Sequence, residues 1–443
     1  MKAPAETLSA AETAVLSKAR RRLIPILMLC YFAAFLDRVN IGFAALTMNA
    51  DLRLSATAFG VGAGLFFLGY VLCEIPSNLL LARFGARAWL ARIMISWGLI
   101  SALTAFVWNG PSFYVIRILL GAAEAGFFPG LLFYCTLWFP RAYRARIFGL
   151  TQIAPQLSSV IGAPLSTWLL TRTDGLAGLK GWQWMFLIEG MPAVILGVAL
   201  FILLPSRPEE ARFLDAQEKS VLANLMGRER LQRERVEKFS VRQAMLDGRV
   251  WGMCLIALGL VIGTTGAAIW MPQLMKQFGL STMEIGIVAA IPSFVAVFAT
   301  LFCGWNADRT GARVAHIVVP FSIAACGFVL AGLSSSPLFG VIGLTIGTAG
   351  IAGASPSIWS LPAALLTGTA SAAGFALINS VGSTGGFAGP SIIGWVRDTT
   401  GSFSYALFFL AAVLAGAAVV AALLGRKMQS VLNPAVTSGG VTQ

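Results

Sequence analysis

The chain has 443 residues, of which 57% are hydrophobic and only 12% charged, with a formal net charge of +13. Soluble proteins average about half apolar and a quarter charged, so this composition excludes an ordinary soluble protein and describes a polytopic membrane protein. The basic excess has no meaning until it is located, because it arises equally from nucleic-acid binding and from loops on one side of a bilayer.

Residues 1–22 are polar and carry Glu6 and Glu12. The apolar run after them is too long for a signal-peptide core and has no clear cleavage site, so they are expected to stay as a cytoplasmic tail. Twelve apolar segments follow, at about 23–47, 57–81, 89–108, 112–138, 148–170, 183–204, 250–274, 284–306, 315–333, 338–359, 371–396 and 403–425. Each is near the ~20 residues that span a bilayer core of about 30 Å at 1.5 Å per residue. The expected fold is therefore all-α, with twelve transmembrane helices in two six-helix bundles, residues 23–205 and 250–425. They flank a hydrophilic stretch, 206–249, rich in Arg and Glu with helical spacing around Ala211–Arg230, and a cytoplasmic C-terminal tail, 426–443, closes the chain.

The first span holds the stretch Phe35-Leu36-Asp37-Arg38-Val39-Asn40-Ile41-Gly42, which sets an acid, a guanidinium and an amide in a run otherwise apolar from Leu23 to Leu46. Charge near a bilayer centre costs at least ~2.5 kcal/mol per residue and normally faces a water-filled cavity or a partner inside the bundle. The stretch is thus a candidate for lining a pathway through the membrane.

With the N-terminus inside, 25 Lys and Arg fall on the cytoplasmic side, and only Arg53, Arg172, Lys180, Lys276 and Arg397 fall on the other. This positive-inside asymmetry accounts for the basic balance without nucleic acid. The six cysteines are single, lie in apolar runs and form no CxxC pair, so they read as packing residues, and no metal site is expected.

An internal repeat supports the division into halves. Asn78-Leu-Leu-Leu-Ala-Arg83-Phe-Gly85-Ala-Arg87 after the second span matches Gly304-Trp-Asn-Ala-Asp308-Arg309-Thr-Gly311-Ala-Arg313 after the eighth, sharing R-x-G-A-R. Glycine suits the tight bend and arginine the carbonyls of a helix C-terminus or a nearby carboxylate, so these residues are candidates for gating; topology and headgroup contact are the alternative. Two six-helix repeats with a site between them near the midplane are a transporter architecture.

The two turns resemble the signature loop of the major facilitator superfamily, which implies two bundles and alternating access. The first copy departs from the pattern, with Ala82 where the family usually has Asp, and Glu74 is the candidate replacement acid. Asp37-Arg38-x-Asn40-Ile41, Tyr70-x-x-x-Glu74-Ile-Pro76-Ser-Asn78, Arg117-x-x-x-Gly121-x-x-Glu124-Ala-Gly126-Phe-Phe-Pro129-Gly130, Gly181-Trp-Gln-Trp184 and Glu189-Gly190 narrow the likeness. It is to the anion:cation symporter family, in the bacterial branch resembling tartrate, phthalate and hydroxyphenylacetate transporters.

Depth follows from helix rise alone: Asp37 lies roughly 15 Å and Glu124 roughly 18 Å below the outer end of its span. Arg117 and Glu124 are seven residues apart, on one face. Asp37, Arg38, Arg117 and Glu124 then form a nearly neutral set, either a structural ion-pair network or a working site. In the working site Arg38 takes an incoming carboxylate through two parallel hydrogen bonds, and Asp37 and Glu124, beside Arg117, carry protons. The resemblance implies the same roles. His316, the one histidine, sits at the cytoplasmic start of the ninth span, poorly placed as a relay.

Tyr70, Gln152, Gln156, Ser357, Trp359 and Asn379 are the further candidates for substrate contact, with hydrogen bonding between helices as the alternative for each. The resemblance points to Tyr70, Trp359 and Asn379 in particular, while Pro155 stands near where a family glutamine is expected. Glu74 and Glu189 lie nearer helix ends and are assigned structural or gating roles. The glycine-rich runs suit close helix packing, and no nucleophile elbow, nucleotide fingerprint or metal-ligand spacing appears, so neither enzymatic activity nor a cofactor is expected.

The expectation is a monomeric secondary active importer of an organic carboxylate, tartrate-like or aromatic, coupled to protons, in a bacterial inner membrane with both termini cytoplasmic. A carboxylate-sensing receptor and a proton-antiport efflux pump are the alternatives. Against efflux, the fifth span has Gly162-Ala-Pro164 but lacks a longer glycine-proline run.

Overall fold

The computed structural model describes residues 9–140, 143, 147, 153–234, 247–365 and 368–432. A bilayer core offers no water to the backbone, so long apolar runs satisfy their amides internally as helices, and no strand occurs among the described residues. The first six spans are α1 (Ala10–Asp51), α2 (Ala56–Phe84), α3 (Ala86–Leu103), α4 (Gly110–Glu124) with α5 (Phe127–Trp138), α6 (Ile153–Arg172) and α7 (Gly181–Leu203). A hydrophilic helix, α8 (Ala216–Glu234), lies between the halves. The second six are α9 (Gly248–Gln277), α10 (Thr282–Val288) with α11 (Ala290–Thr310), α12 (Ala315–Leu333), α13 (Pro337–Leu365), α14 (Gly368–Thr400) and α15 (Ser404–Leu432). Ten of these spans are long and apolar enough to cross a membrane on length and composition alone. The other two, α6 and α14, have 20 and 33 residues and carry more Ser, Thr and Gly.

Three features differ from the sequence reading. The first helix starts at Ala10, well before its apolar run, because Ser9 and Glu12 form a reciprocal capping box there. That extension is amphipathic: Val15, Leu16 and Ala19 are buried in one cluster with Leu222 and Leu225 of α8. Lys18 reaches Glu218 at 2.7 Å and Arg228 pairs with Glu12, so α8 is tied to the start of α1. Second, the fourth span is broken where one continuous helix was expected. Gly126 has φ +84°, and a Cβ there would run into Ser77, whose hydroxyl donates to Ala125 O at 2.6 Å. Glu124 consequently ends α4 at a bend instead of lying within a straight helix. Third, the eighth span is interrupted at Ala289.

Within the first half α1 packs on α6 and α7, α2 on α4, and α3 on α7; within the second, α9 packs on α13 to α15 and α12 on α13 and α15. The halves meet where α2 lies on α14, where α6 lies on α10 and α11, and where α1 lies on α9. Counted in spans, the first two are one contact repeated: second against eleventh, and eighth against fifth. Their seams are made of glycine: a Cβ at Gly60 or Gly64 would strike the backbone of α14 at Pro390 or Phe387, and one at Gly286 would strike Thr167.

The ties between halves cluster toward one end of the bundle. Asp398 accepts from the amides of Ala56 at 3.1 Å and Thr57 at 2.7 Å, meeting the free N–H groups that open α2. Lys276 donates to Leu46 O at 3.1 Å, and Gly42 abuts Ile269. At the same end Trp182 donates to Asp51 at 2.8 Å and Gln183 to Ala105 O at 2.6 Å, which accounts for the Gly181-Trp-Gln-Trp184 run. The R-x-G-A-R turns lie at the opposite end.

Candidate functional site

Below these ties a cavity of about 390 Å³ lies between the halves. That volume suits a small organic molecule. From the first half it is lined by Asp37, Arg38, Arg117, Glu124 and Gln156 among others, and from the second by Thr264, Thr265, Ser293, Thr348 and Trp359.

The charged wall is built by α1 and α4. Arg38 Nε and Nη2 both reach Glu124 Oε1, at 2.8 and 2.5 Å. The Glu124 side chain is 2% exposed whereas that of Arg38 keeps 27%, so the guanidinium has one edge on its acid and another edge toward the cavity. Two of its five N–H donors are used, leaving donors for a second carboxylate. Phe35, Phe66 and Tyr70 surround it, with ring centroids 5.2, 5.3 and 5.5 Å from Cζ, and fix its plane. Arg117 also lies over the Phe66 ring, at 5.2 Å from its centroid, and donates to Ala63 O at 3.4 Å. Asp37 is 3% exposed and accepts from Ser101 and, at 3.2 Å, from Asn40.

The opposite wall has a different chemistry. Thr264 and Thr265 donate to Leu260 O and Val261 O of their own helix, at 2.8 and 2.6 Å, and so turn only lone pairs to a ligand. Among the described residues that line the cavity, Arg38 and Arg117 are the cations, and both belong to the first half. The cavity thus has a cationic end, from the first half, and a largely apolar, hydroxyl-bearing end, from the second.

Of the residues singled out from sequence, Asp37, Arg38, Arg117, Glu124, Gln156 and Trp359 meet in this cavity. Tyr70 stands behind Arg38 as one of its aromatic supports. Ser357 is buried at 1% exposure and does not line the cavity, nor does Asn379, whose neighbour one turn on, Ser383, does. Gln152 lies outside the described residues. At the signature turns Gly85 and Gly311 have φ of +84° and +69°, as their bends demand. Arg87 donates to Phe201 O at 2.6 Å and Arg313 to Ser360 O at 3.4 Å, so each closes on a carbonyl of its own half. Arg83 and Arg309 lie against the rings of Phe84 and Trp305. Neither Asp308 nor Glu74 forms an ion pair among the described residues, and Glu74 has no pairing with the Ala82 turn. His316 bonds Asn306 at 3.0 Å and Ala312 O at 2.8 Å, away from the cavity.

Three residues were not picked out for their place here. Ser101 completes the Asp37 environment, and Asp398 closes the seam between halves. Glu189, read from sequence as lying near a helix end, is 2% exposed and accepts from Ser166 at 2.7 Å. Its signal was available: a lone carboxylate in a span of high hydropathy.

The sequence profile of the Major Facilitator Superfamily matches residues 27–390. A relative from Agrobacterium vitis, named as a candidate tartrate transporter, is 48% identical over 415 residues, covering 94% of this chain and 92% of its own length. NicT of Pseudomonas putida, named as a candidate metabolite transport protein, is 45% identical over 403 residues, covering 90% of this chain and 92% of its own. Among solved structures, a bacterial homologue of the human lysosomal transporter Spinster, inward-facing and occupied, superposes with a TM-score of 0.75 at 18% identity, over 92% of this chain and 97% of that one. The chain is a multi-pass membrane transporter, not an enzyme, and belongs to the major facilitator superfamily.

Proposed function

We propose that this transporter imports an organic carboxylate, a tartrate-like hydroxy acid or an aromatic acid, by proton symport with alternating access. The observation that carries the reading is the divided guanidinium of Arg38, half on Glu124 and half toward the cavity. A carboxylate arriving there competes with Glu124 for the same donors. As the anion takes Arg38, Glu124 loses its counterion inside a low-dielectric bundle, where a bare carboxylate is costly, and a proton on Glu124 restores neutrality. Substrate and proton therefore favour one another's binding. Hydroxyls of the substrate suit the lone pairs of Thr264 and Thr265, and an aromatic body suits Trp359 and the apolar lining. The Agrobacterium relative's name supports a tartrate-like substrate.

The clustering of ties at the Asp398 end fits a state closed on that side, and the Lys and Arg asymmetry makes the opposite side cytoplasmic. On this reading the protein acts as a monomer in the bacterial inner membrane, both termini lie inside, and the captured conformation faces inward. Its test is uptake of labelled tartrate, phthalate or 4-hydroxyphenylacetate into proteoliposomes with the outside acidic. Accumulation above the equilibrium level, abolished when the gradient is collapsed, supports symport; equilibration without accumulation refutes it, and binding without transport leaves a receptor.

A further inference from the structure

Two guanidinium groups keep a buried Nε without a hydrogen-bond partner among the described residues, those of Arg117 and Arg92. Arg117 belongs to the cavity, whereas no described residue of α3, the helix that carries Arg92, lines it. Arg92 forms no ion pair among the described residues. The helices packed on α3 are α2, α4, α5 and α7, and their acids are Glu74, Glu124 and Glu189. Glu124 is held by Arg38, Glu189 accepts from Ser166 beside the contact of Gly190 with Gly98, and Glu74 pairs with no cation among the described residues. Asp37 of α1 reaches α3 at Ser101, nine residues or roughly 14 Å beyond Arg92. A charge without a partner is expensive within a span, so the anion for Arg92 has to come from outside the chain.

What lies outside this face is lipid. Leu99 and Leu103, seven and eleven residues after Arg92 and so on the same helix face, are 50% and 52% exposed, and apolar side chains exposed on a span away from the cavity lie against acyl chains. Arg92 is six residues, roughly 9 Å, from the start of α3 at the R-x-G-A-R end, a depth from which a long side chain reaches the headgroups. A ladder of rings holds it there: Arg92 Cζ stands 4.0 Å from the Trp89 centroid, Trp89 stacks on Phe84 at 5.7 Å, and Arg83 Cζ lies 5.7 Å from Phe84. The Trp89 N–H is spent on Ser77 Oγ at 3.0 Å, so the indole is pinned and its face is left for the guanidinium. We propose that Arg92 and Arg83, on the platform of Trp89 and Phe84, bind the headgroup phosphate of an anionic phospholipid in the leaflet at this end, with its acyl chains along Leu99 and Leu103. A guanidinium grips a phosphate through two parallel hydrogen bonds, and a headgroup with no cation of its own leaves the attraction undiminished. The site is independent of substrate and of symport.

The test is titration of phosphatidylglycerol into the purified transporter in neutral detergent, followed by native mass spectrometry, which should show a saturable one-to-one adduct. Arg92→Gln should weaken it about fivefold, the contribution of one basic residue at a lipid surface. Arg426→Gln removes an exposed cation at the same end of the bundle, where Gly425 abuts Val314, and should leave the affinity unchanged. Phosphatidylcholine, which has the same phosphate with a cation beside it, should bind more weakly than phosphatidylglycerol. If Arg92→Gln does not fold, Arg92→Met keeps a long stem on the apolar face and removes the same charge. Wild-type affinity in the Arg92 variant would overturn the proposal. So would an equal loss in the Arg92 and Arg426 variants, the mark of diffuse attraction to a basic surface, or displacement of the lipid by excess inorganic phosphate, the mark of a site for free anions.

Discussion

Replacing Arg38 by lysine keeps the charge and removes the fork. In the structure two N–H groups of one planar head are spent on Glu124 while its other edge faces the cavity, and three aromatic rings hold that plane. A lysine ammonium is a point charge that cannot serve Glu124 and a bidentate ligand in one fixed geometry. The loss expected is one charge-assisted hydrogen bond to the ligand, about 1.5–3 kcal/mol. At 1.4 kcal/mol per tenfold, that is roughly 10- to 150-fold in affinity. Folding should survive, because the buried Glu124 still has a cation beside it; Arg38→Ala, which strands that carboxylate, should cost about 3–5 kcal/mol of stability instead. The assay is ligand-induced thermal stabilisation, with the unliganded melting temperature as the folding control. Wild-type ligand affinity in Arg38→Lys would refute the reasoning and make Arg38 a structural residue.

Other consequences follow from the bends and seams. Asp398→Ala removes two amide hydrogen bonds to a carboxylate at the α2 N-terminus, and about 1–2 kcal/mol lost there shifts the closed-to-open ratio of that end roughly 5- to 30-fold. Spin-label distances across the α2–α14 seam should lengthen, and an unchanged distribution contradicts the latch. Gly126→Ala forces an L side chain into φ +84° against a hydrogen-bonded Ser77, costing about 1–3 kcal/mol. It should also weaken ligand binding by displacing Glu124, and a fully stable, fully binding variant would show that the bend is dispensable. The Lys18 ammonium holds the Glu218 carboxyl below its ordinary range, so this tie contributes above the usual carboxylate range and is lost as pH falls through the lowered value. Acid should therefore raise proteolytic cleavage of α8, and Glu218→Gln should reproduce the effect at neutral pH; equal cleavage of variant and wild type would show that apolar contacts alone hold the helix.

Much of this architecture was legible in the residues because a bilayer imposes length and polarity on each span. Ten spans pass on those grounds alone, and Asp37 and Arg38 announced themselves as charges where charge is expensive. What remained hidden depends on partners. The bend at Gly126 sits inside an unbroken apolar run, so hydropathy sees one helix, and only Ser77, packed in from α2, shows why glycine is required. Glu189 was placed by its distance from a helix end, and linear position does not say which helix it faces. Asp398 binds main-chain amides 342 and 341 residues away, a pairing with no side-chain signature. Thr264 and Thr265 resemble ordinary helix hydroxyls, since each does bond to its own backbone, and their cavity role comes from the half that faces them.

The central claim is that Glu124 exchanges its bond to Arg38 for a proton when substrate binds. Paired counterflow and pH-driven uptake by Glu124→Gln in proteoliposomes test it most directly, because the amide keeps the shape and cannot titrate. Counterflow, which needs no net proton movement, should persist while accumulation driven by the pH gradient disappears. Full pH-driven accumulation by the variant would contradict the account, and loss of both activities would return Glu124 to a structural ion pair.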